Sequence, residues 1–333
     1  MNQRNERIDR RTLLAAAAAS LAVPAWAQKV SSGADWPTRT VRLMVGFPAG
    51  STPDLVARTI ADPLSKALGQ TVIVENHPGA AGNIAADIVA KSRDNHTIGI
   101  MINGNMTIAK ILNPSTPYDP VKDLAPITLI GTAPLLLTAS TSAPGHNAQE
   151  FFAAARDAGN KWSYGSPGVG TVGHIGMELL KSKTNIDPVH VPYPGNPQVI
   201  NALMTNQIQL ALLPPGIAQP QVRAGKLKAI GLTSSGRSPL VPEYPSLDEQ
   251  GVTHGFQLEI WTAAAGPASM PKPIVDRLSK LIADIARTPD IRQKLFVQGW
   301  QVAGTSPEGL AIRVKQDTAL LGGIIQARGI KTQ

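Results

Sequence analysis

Two stretches of the sequence place glycine and hydroxyl residues where a strand pattern gives way to a helix pattern. The first is Gly46-Phe47-Pro48-Ala49-Gly50-Ser51-Thr52-Pro53-Asp54, which follows the apolar residues 41–45. The N–H groups at the start of a helix have no partner within it and carry a partial positive charge, so anions bind there. Thr52 suits the N-cap, Pro53 the first helical position and Asp54 the first turn. The stretch therefore predicts a helix start that either binds an anion or is simply well capped.

The second stretch, residues 164–174, reads Tyr-Gly-Ser-Pro-Gly-Val-Gly-Thr-Val-Gly-His and also lies between a strand pattern and a helix pattern. Gly168, Gly170 and Gly173 fit the G-x-G-x-x-G pattern that holds a dinucleotide pyrophosphate. The acidic residue that should end the following strand is absent, because Asp187 precedes that strand. The same glycines and amides can hold a carboxylate, and neither stretch contains Arg or Lys. Dinucleotide binding and carboxylate binding between the two stretches are the alternatives.

A carboxylate site built only from amides and hydroxyls is energetically sufficient. A hydrogen bond to a charged group contributes about 1.5–3 kcal/mol. About four or five such bonds support micromolar binding after the entropy losses of association. No charged side chain is required in either stretch.

Other catalytic and metal-binding patterns are missing from the sequence. There is no cysteine, which excludes disulfides, thiolate ligands and cysteine nucleophiles, and no G-x-S-x-G hydrolase motif. The six histidines (residues 77, 96, 146, 174, 190 and 254) show no H-E-x-x-H spacing, so we expect no metal site. His174, one turn into the second helix, could contact a ligand or brace the loop. We expect a protein that is not an enzyme and has no cofactor.

Composition and charge limit how many domains the chain can form and which partners it can be expected to bind. The 333 residues, 43% of them hydrophobic and 16% charged, suit one large or two ordinary globular domains, and we expect two. The net charge is +8, to which residues 1–27 contribute four Arg against Glu6 and Asp9. No run of Lys and Arg is interleaved with aromatic residues, so nucleic acid is not an expected partner. The modest basic excess would suit an acidic small ligand.

The N-terminus has the form of an export signal. Four Arg precede the apolar run from Leu13 to Val23, and Ala25-Trp26-Ala27 has the small-x-small pattern that signal peptidase cuts after. We therefore expect residues 1–27 to be a signal peptide and the mature chain to begin at Gln28. Arg10-Arg11 leaves both the ordinary route and the twin-Arg route of export open. No later apolar stretch reaches the roughly 18 residues that a membrane span requires.

Strand and helix patterns alternate along the rest of the chain. The order strand, helix, strand, helix, strand over residues 40–102 predicts βαβ units, with a parallel sheet and helices on both of its faces. The Pro-rich residues 114–126 interrupt this order, and a second α/β unit follows over residues 148–212. Ligands of such sheets bind beyond the carboxyl ends of the strands, where residues 47–54 and the loop 103–105 both fall. We expect these two loops to be neighbours.

Several short motifs of the chain occur together in one known family. They are Trp36-Pro37, Gly46 to Gly50 with Asp54 and Arg58, Val74 to Asn83 with Ala86-Asp87, Tyr164 to Ser166 with His174, Pro192-Tyr193, Ala224 to Ala229, Arg237 to Pro239, and Pro289 to Arg292. From residue 36 to the C-terminus the chain resembles the Bug-type receptors, the periplasmic solute-binding proteins of tripartite tricarboxylate transporters. The resemblance implies a type II periplasmic binding fold, in which two α/β lobes joined by crossing strands close on a small carboxylate. It also implies a periplasmic monomer whose partners are its ligand and the membrane components of a transporter.

The resemblance places lobe boundaries and site residues on this sequence. Lobe 1 would comprise residues 36–131 and 233–333, and lobe 2 residues 132–232. The two ligand loops of the family fall on residues 47–52 and 166–171. With neighbouring side chains, the expected ligand-binding residues are Phe47, Ala49, Gly50, Ser51, Thr52, Asn105, Ser166, Gly168, Gly170, Thr171, His174 and Tyr193.

Two departures from the family pattern bear on the ligand. Where the family often has Gly-Gly-x-Thr-Asp, this chain has Gly50-Ser51-Thr52-Pro53-Asp54, which adds a hydroxyl and removes an amide. Near Leu212-Leu213-Pro214-Pro215 a polar or acidic residue that the family often carries is absent. We therefore expect a ligand with an aromatic or aliphatic body. An exported NAD(P)-dependent oxidoreductase and a carboxylate sensor that partners a signalling protein are the alternative functions.

Overall fold

The computed structural model describes residues 36–330, so the expected signal peptide, residues 1–27, and the expected mature start at Gln28 lie outside the described residues. The described residues from Pro37 onward belong to one compact unit. Within residues 36–330, no helix combines the length and the hydropathy that crossing a bilayer requires.

The strands are short and rich in β-branched and other apolar residues, which suit a half-buried or buried pleated surface. In chain order they are β1 (Val41–Val45), β2 (Val72–Asn76), β3 (Thr97–Ile102), β4 (Leu124–Pro134), β5 (Leu136–Ser140), β6 (Ser163–Ser166), β7 (Val189–Pro192), β8 (Leu210–Leu213), β9 (Leu227–Leu232), β10 (Glu259–Pro267) and β11 (Gln301–Val302).

The helices lie between these strands and close the chain. They are α1 (Thr52–Leu68), α2 (Asn83–Lys91), α3 (Asn103–Thr107), α4 (Ala109–Leu112), α5 (Ala148–Ala158), α6 (Val172–Thr184), α7 (Asn196–Met204), α8 (Pro215–Arg223), α9 (Lys272–Arg287), α10 (Pro289–Val297) and α11 (Pro307–Arg328). Short 3₁₀ turns occupy Ala80–Gly82 and Gly159–Lys161.

The strands form two sheets, and each sheet is the centre of one lobe. The lobe 1 sheet has the order β11-β4-β10-β3-β1-β2, and the lobe 2 sheet has the order β7-β6-β8-β5-β9. In lobe 1, β1 pairs in parallel with β2 and β3, whereas β10 runs antiparallel to β3 and β4. In lobe 2, β6 is parallel to β7 and β8, and β5 is antiparallel to β8 and β9. The parallel pairing expected for residues 40–102 is confirmed by β1, β2 and β3. The antiparallel strand β10 joins this sheet after the chain has built lobe 2.

Two extended segments cross between the lobes side by side. β4 ends at Pro134 in the first sheet and β5 begins at Leu136 in the second. The Leu135 N–H donates to Thr233 Oγ1 at 2.8 Å, and the Thr233 N–H donates to the Leu135 carbonyl at 2.9 Å. Thr233 directly follows β9, so these bonds join the outgoing and returning segments. The first crossing therefore lies at Leu135, and the return begins after β9 ends at Leu232. The lobe boundaries at 131/132 and 232/233 stay a prediction.

Local sequence explains the start of α1, with a shift of one residue. Ser51 is the N-cap in extended conformation, and Thr52 is the first helical residue with Pro53 second, so the expectation of Thr52 as N-cap is wrong by one position. Pro is tolerated in this first turn because an N–H there would have no partner within the helix. Apolar residues at helical spacing, including Ile60 and Leu64, are fully buried against the sheet. The packed helix fixes where the loop before it ends.

The residues after β3 are also helical. Asn103–Thr107 form α3, where the sequence indicated a loop. The propensities of this stretch are weak for helix, with Gly104 second in the helix, so tertiary packing decides its conformation. Every residue of α3 is buried. This placement puts the first turn of α3, rather than a mobile loop, at the carboxyl end of β3.

Candidate ligand-binding cleft

The first loop, between β1 and α1, is held by the carboxylate of Asp54. That carboxylate accepts hydrogen bonds from the Gly50 N–H at 2.8 Å, from Arg58 Nε at 3.1 Å and from Asn76 Nδ2 at 2.9 Å. Asn76 Nδ2 also donates to the Phe47 carbonyl at 2.9 Å. Burial alone would raise the pKa of Asp54, but the hydrogen bonds from Arg58, Gly50 and Asn76 outweigh it and hold the pKa below its usual range. Asp54 therefore holds the loop in place as an ionised residue in the first turn of α1.

The second loop, between β6 and α6, is closed on itself by hydrogen bonds. The Gly168 carbonyl accepts from Ser166 Oγ at 3.1 Å and from Thr171 Oγ1 at 2.8 Å. The Gly170 N–H donates to His174 Nδ1 at 3.1 Å. Gly168 and Gly170 have φ of 126° and 87°, in the left-handed region that other residues rarely adopt. The glycines of this loop are therefore explained by its backbone shape.

His174 belongs to a stack of rings behind the second loop. Its ring lies 4.1 Å from that of His190, and the His190 ring lies 4.8 Å from that of Tyr164. His190 Nε2 is 2.7 Å from Ser166 Oγ. Burial lowers the pKa of His174 to about 4 and that of His190 to about 3, so both rings are neutral near pH 7. The geometry favours the bracing role for His174, since its Nδ1 must be unprotonated to accept the Gly170 N–H.

Acidification is expected to destabilise this packing. A histidine of the unfolded chain titrates near pH 6.5, whereas His174 stays neutral down to a pKa of about 4, so the unfolded chain binds more protons between these values. The free energy of unfolding should fall as the pH is lowered from about 6.5 to about 5, by about 1–2 kcal/mol for this group. Urea unfolding at a series of pH values measures the slope. In His174→Asn, which keeps an acceptor but does not titrate, the slope should be shallower, and an unchanged slope would contradict the assignment.

The two loops meet at a cavity between the lobes. It is lined by Phe47, Ser51, Thr52, Pro53, Ile102, Leu135, Pro167, Thr171, Val172, Gly173, Asn196, Leu212, Pro214 and Ile260. The atom-free space among these residues is about 380 Å³, including its opening to solvent. Across the cavity Asn196 Nδ2 of lobe 2 donates to Thr52 Oγ1 of lobe 1 at 3.0 Å. The lobes therefore lie in a closed arrangement.

Polar groups without a protein partner face this cavity. Ser51 Oγ and Asn196 Oδ1 have no hydrogen-bond partner in the protein. Both residues are buried, with exposed fractions of 1% and 5%. Buried polar atoms are normally paired, so these two atoms are available to a ligand or a water. Three helices begin here without a side-chain cap on their first amides: α1 at Thr52, α6 at Val172 and α7 at Asn196. The site combines hydrogen-bond donors with the positive ends of three helix dipoles.

Four of the predicted ligand residues line the cavity, namely Phe47, Ser51, Thr52 and Thr171. Gly168 and Gly170 shape the second loop, and Ser166 and His174 hold it from inside, without lining the cavity. Ala49 and Gly50 are exposed on the outer side of the first loop. For these six residues, ligand contact stays a prediction, and the structure assigns them a supporting position.

Asn105 and Tyr193 lie elsewhere, and the geometry does not support their predicted ligand contact. Asn105 Nδ2 donates to the Ala81 carbonyl at 2.9 Å and to Asn83 Oδ1 at 2.8 Å, so its amide is used within lobe 1. The Tyr193 ring packs beside Gly165 of β6, and its N–H donates to the Ser166 carbonyl at 2.9 Å. These contacts lie within each residue's own lobe, and neither residue is among those that line the cavity.

Sequence reasoning missed the most informative polar residue, Asn196. It begins α7 in the run Gly195-Asn196-Pro197, and an Asn before a Pro is a recognisable helix-start signal. The apolar lining residues Ile102, Leu135 and Ile260 carry no such signal, because their pattern is that of ordinary buried strands. They come together only where β3, the crossing segment and β10 meet.

The chain is similar to known proteins both in sequence and in structure. Residues 56–330 match the tripartite tricarboxylate transporter family receptor. The UPF0065 protein in the tcbD-tcbE intergenic region of Pseudomonas sp. (strain P51) is 31% identical over 313 residues, which is 93% of this chain and 92% of that protein. The periplasmic binding protein BugD has a TM-score of 0.84 and 30% identity, covering 90% of this chain and 100% of that one.

Two ligand-bound structures are also similar. Rpa4515 of R. palustris with adipate has a TM-score of 0.86 and 30% identity, covering 89% of this chain and 99% of that one. MatC of Rhodopseudomonas palustris with bound malate has a TM-score of 0.82 and 32% identity, covering 87% and 100%. The predicted two-lobe α/β fold of periplasmic binding proteins and the resemblance to Bug-type receptors are confirmed. The chain belongs to the family of tripartite tricarboxylate transporter receptors.

Proposed function

We propose that the protein captures a small carboxylate between its two lobes in the periplasm and delivers it to the membrane components of a tripartite tricarboxylate-type transporter. The observation that carries this proposal is the cavity between the two loops, at which three helices begin and where Ser51 Oγ and Asn196 Oδ1 are buried without protein partners. Helix starts of this kind bind carboxylates without basic side chains. The adipate and malate complexes of related receptors support a carboxylate ligand.

Closure of the two lobes would be the binding step. In an open form, water reaches both loops, and a carboxylate can settle on the first turn of α1. A ligand that bridges the loops stabilises the closed form by the difference of its affinities for the two forms. The hydrogen bond from Asn196 to Thr52 forms only when the lobes meet. Since both walls of the cleft come from one chain, we propose that the protein works as a monomer.

The second loop is poorly suited to hold a dinucleotide. Its Gly168 N–H donates to Ser166 Oγ at 3.3 Å and its Gly170 N–H donates to His174, so these amides are already engaged. A Cβ on Gly168 would lie 3.0 Å from the Cβ of Ala81 in lobe 1, so the loop packs directly against the other lobe. These contacts favour the receptor over an oxidoreductase.

The test is a thermal-shift screen of the mature chain against mono-, di- and tricarboxylates, aromatic acids and NAD(P). A ligand at about 100 times its Kd adds roughly 2.7 kcal/mol to the free energy of unfolding, which gives a clear rise in Tm. A carboxylate that raises Tm supports the proposal. A rise with NAD(P) alone would overturn it.

Removing the hydroxyl of Thr52 is expected to weaken ligand binding about tenfold, or about 1.4 kcal/mol. In Thr52→Val the shape is kept and the N-cap Ser51 is untouched, but the amide of Asn196 loses its partner on closure. Isothermal titration with the ligand found in the screen measures the change. Thr205→Val, at the exposed end of α7, is the matched control and should bind like the wild type. Equal losses in both variants would contradict the role of Thr52.

A further inference from the structure

We infer that the ligand carries a single carboxylate on an apolar body, and that the cleft rejects a second carboxylate at the other end of the molecule. This inference rests on the proposed function, because it specifies the class of carboxylate that the cleft takes. It goes beyond that function because related receptors are bound to adipate and malate, which are dicarboxylates.

One side of the cavity has what one carboxylate needs. The first turns of α1, α6 and α7 begin there, and each contributes the positive end of a helix dipole. The amide of Asn196 donates to the Thr52 hydroxyl at 3.0 Å, and Ser51 is the chain neighbour of Thr52, so these three polar residues lie together. A single anion is compensated there by amides and hydroxyls alone.

The other side chains that line the cavity are apolar, except that of Thr171, whose hydroxyl donates to the Gly168 carbonyl at 2.8 Å. The apolar ones include Phe47, Ile102, Leu135, Pro167, Leu212, Pro214 and Ile260. Ile102, Leu135, Leu212 and Ile260 are buried. Among the residues that line the cavity, none has a charged side chain. A second carboxylate would therefore face aliphatic and aromatic surface.

The backbone of these walls offers no replacement donors. The N–H of Ile102 donates to Asn105 Oδ1 at 3.4 Å, and the N–H of Leu135 donates to Thr233 Oγ1 at 2.8 Å. Pro167 and Pro214 have no N–H to donate. Leu212 lies in β8, which has a neighbouring strand on each side, so its amide faces a strand rather than the cavity. A charge buried here without partners would be strongly unfavourable.

A cation does not reach the cavity from the first loop either. Arg58, one turn beyond Asp54, is directed to Asp54 and to Asn76 Oδ1 at 3.2 Å, and does not line the cavity. The positive charge of Arg58 is already paired with the carboxylate of Asp54. A distant second anion on the ligand is thus left without a counter-charge among the lining residues.

The test compares pairs of ligands that differ only in the second carboxylate: butyrate with succinate, hexanoate with adipate, and benzoate with terephthalate. Each is titrated into the mature chain by calorimetry, with hexanamide as the neutral control. We expect at least one monocarboxylate to bind about 100-fold or more tightly than its dicarboxylate partner, and hexanamide to bind weakly or not at all.

The outcomes separate this inference from the proposed function. A dicarboxylate that binds as tightly as its partner, or more tightly, overturns the single-carboxylate inference and leaves the receptor proposal standing. If no carboxylate binds, or if hexanamide binds as well as hexanoate, the receptor proposal itself fails.

A matched pair of variants tests the wall directly. Leu212 and Leu213 are neighbours on β8 with exposed fractions of 1% and 0%, but only Leu212 lines the cavity. Leu212→Asn should reduce the preference for the monocarboxylate at least tenfold, because an amide then faces the second carboxylate. Leu213→Asn should lower Tm by a similar amount and leave the preference unchanged. If the wild type and both folded variants prefer the monocarboxylate equally, the role of this wall is overturned. If a variant does not fold, the comparison of ligand pairs on the wild type decides the inference.

Discussion

Gly104→Ala is expected to raise the Kd of the captured ligand by roughly 5- to 150-fold, which corresponds to about 1–3 kcal/mol of overpacking. Gly104 lies in the first turn of α3, and a Cβ at this position would be 2.7 Å from the carbonyl oxygen of Gly170 in the second loop. Gly104 belongs to lobe 1 and Gly170 to lobe 2, so the added methyl group collides only when the lobes meet. The open form has no such contact, so the variant should fold normally and close poorly.

The control for this substitution is Gly323→Ala in α11. Gly323 is also helical, and a Cβ there would meet nothing within 4 Å. Both substitutions should slightly favour the ligand-free fold, since alanine is a better helix former than glycine. Calorimetric titration of ligand into both variants, with Tm values of the ligand-free proteins, separates closure from folding. Wild-type affinity in Gly104→Ala would show that ligand binding does not need the closed arrangement.

Asp54→Ala is expected to lower the free energy of unfolding by about 2–3 kcal/mol at pH 7 and to weaken ligand binding. The side chain of Asp54 is 1% exposed and accepts hydrogen bonds from the Gly50 N–H, Arg58 and Asn76. Without it, the first loop loses the group that fixes its path before α1. The pKa of Asp54 is lower in the folded chain than in the unfolded chain. Its contribution to the free energy of unfolding is therefore complete above the ordinary carboxyl range and is lost as the pH falls through the folded pKa. The difference between wild type and variant should therefore shrink below about pH 4.

Asp290→Ala provides the matched control. Asp290 is also an aspartate in the first turn of a helix, α10, and pairs with Lys294 four residues later at 2.8 Å. Its side chain is 72% exposed, and exposed pairs of this kind contribute about 0–1 kcal/mol. Urea unfolding at pH 7 and at about pH 3 measures both variants. Similar losses in the two would mean that Asp54 acts only as an ordinary helix-start residue.

The helix starts of the two loops could be predicted because their signals act within a few residues. Ser51, Thr52, Pro53 and Asp54 form one local signal, and the structure moves the helix start by a single residue. The glycines of the second loop likewise mark a backbone that other residues rarely adopt, as the positive φ values of Gly168 and Gly170 show. The function of those glycines was open in the sequence, because a pyrophosphate loop and a carboxylate loop use the same local chemistry.

Side-chain direction could not be predicted in the same way. Asn105 lies at the carboxyl end of β3, where ligands of α/β sheets bind, but its amide is used by Ala81 and Asn83. Those partners are 24 and 22 positions away, and their approach depends on how α2 and α3 pack. A position at the right edge of a sheet therefore does not decide which groups remain free for a ligand.

By itself, the sequence determined the alternation of strands and helices, the two glycine-rich loops and the absence of Arg and Lys from them, since each depends on residues close in the chain. Only the tertiary structure decided that β10 runs antiparallel between β3 and β4, and that Asn196 meets Thr52 across 144 positions. It also decided which carbon surfaces face the polar end of the cleft. The reason is physical: caps and turns are set by local hydrogen bonds, whereas the cleft exists only after two crossing segments have brought two separately built sheets together.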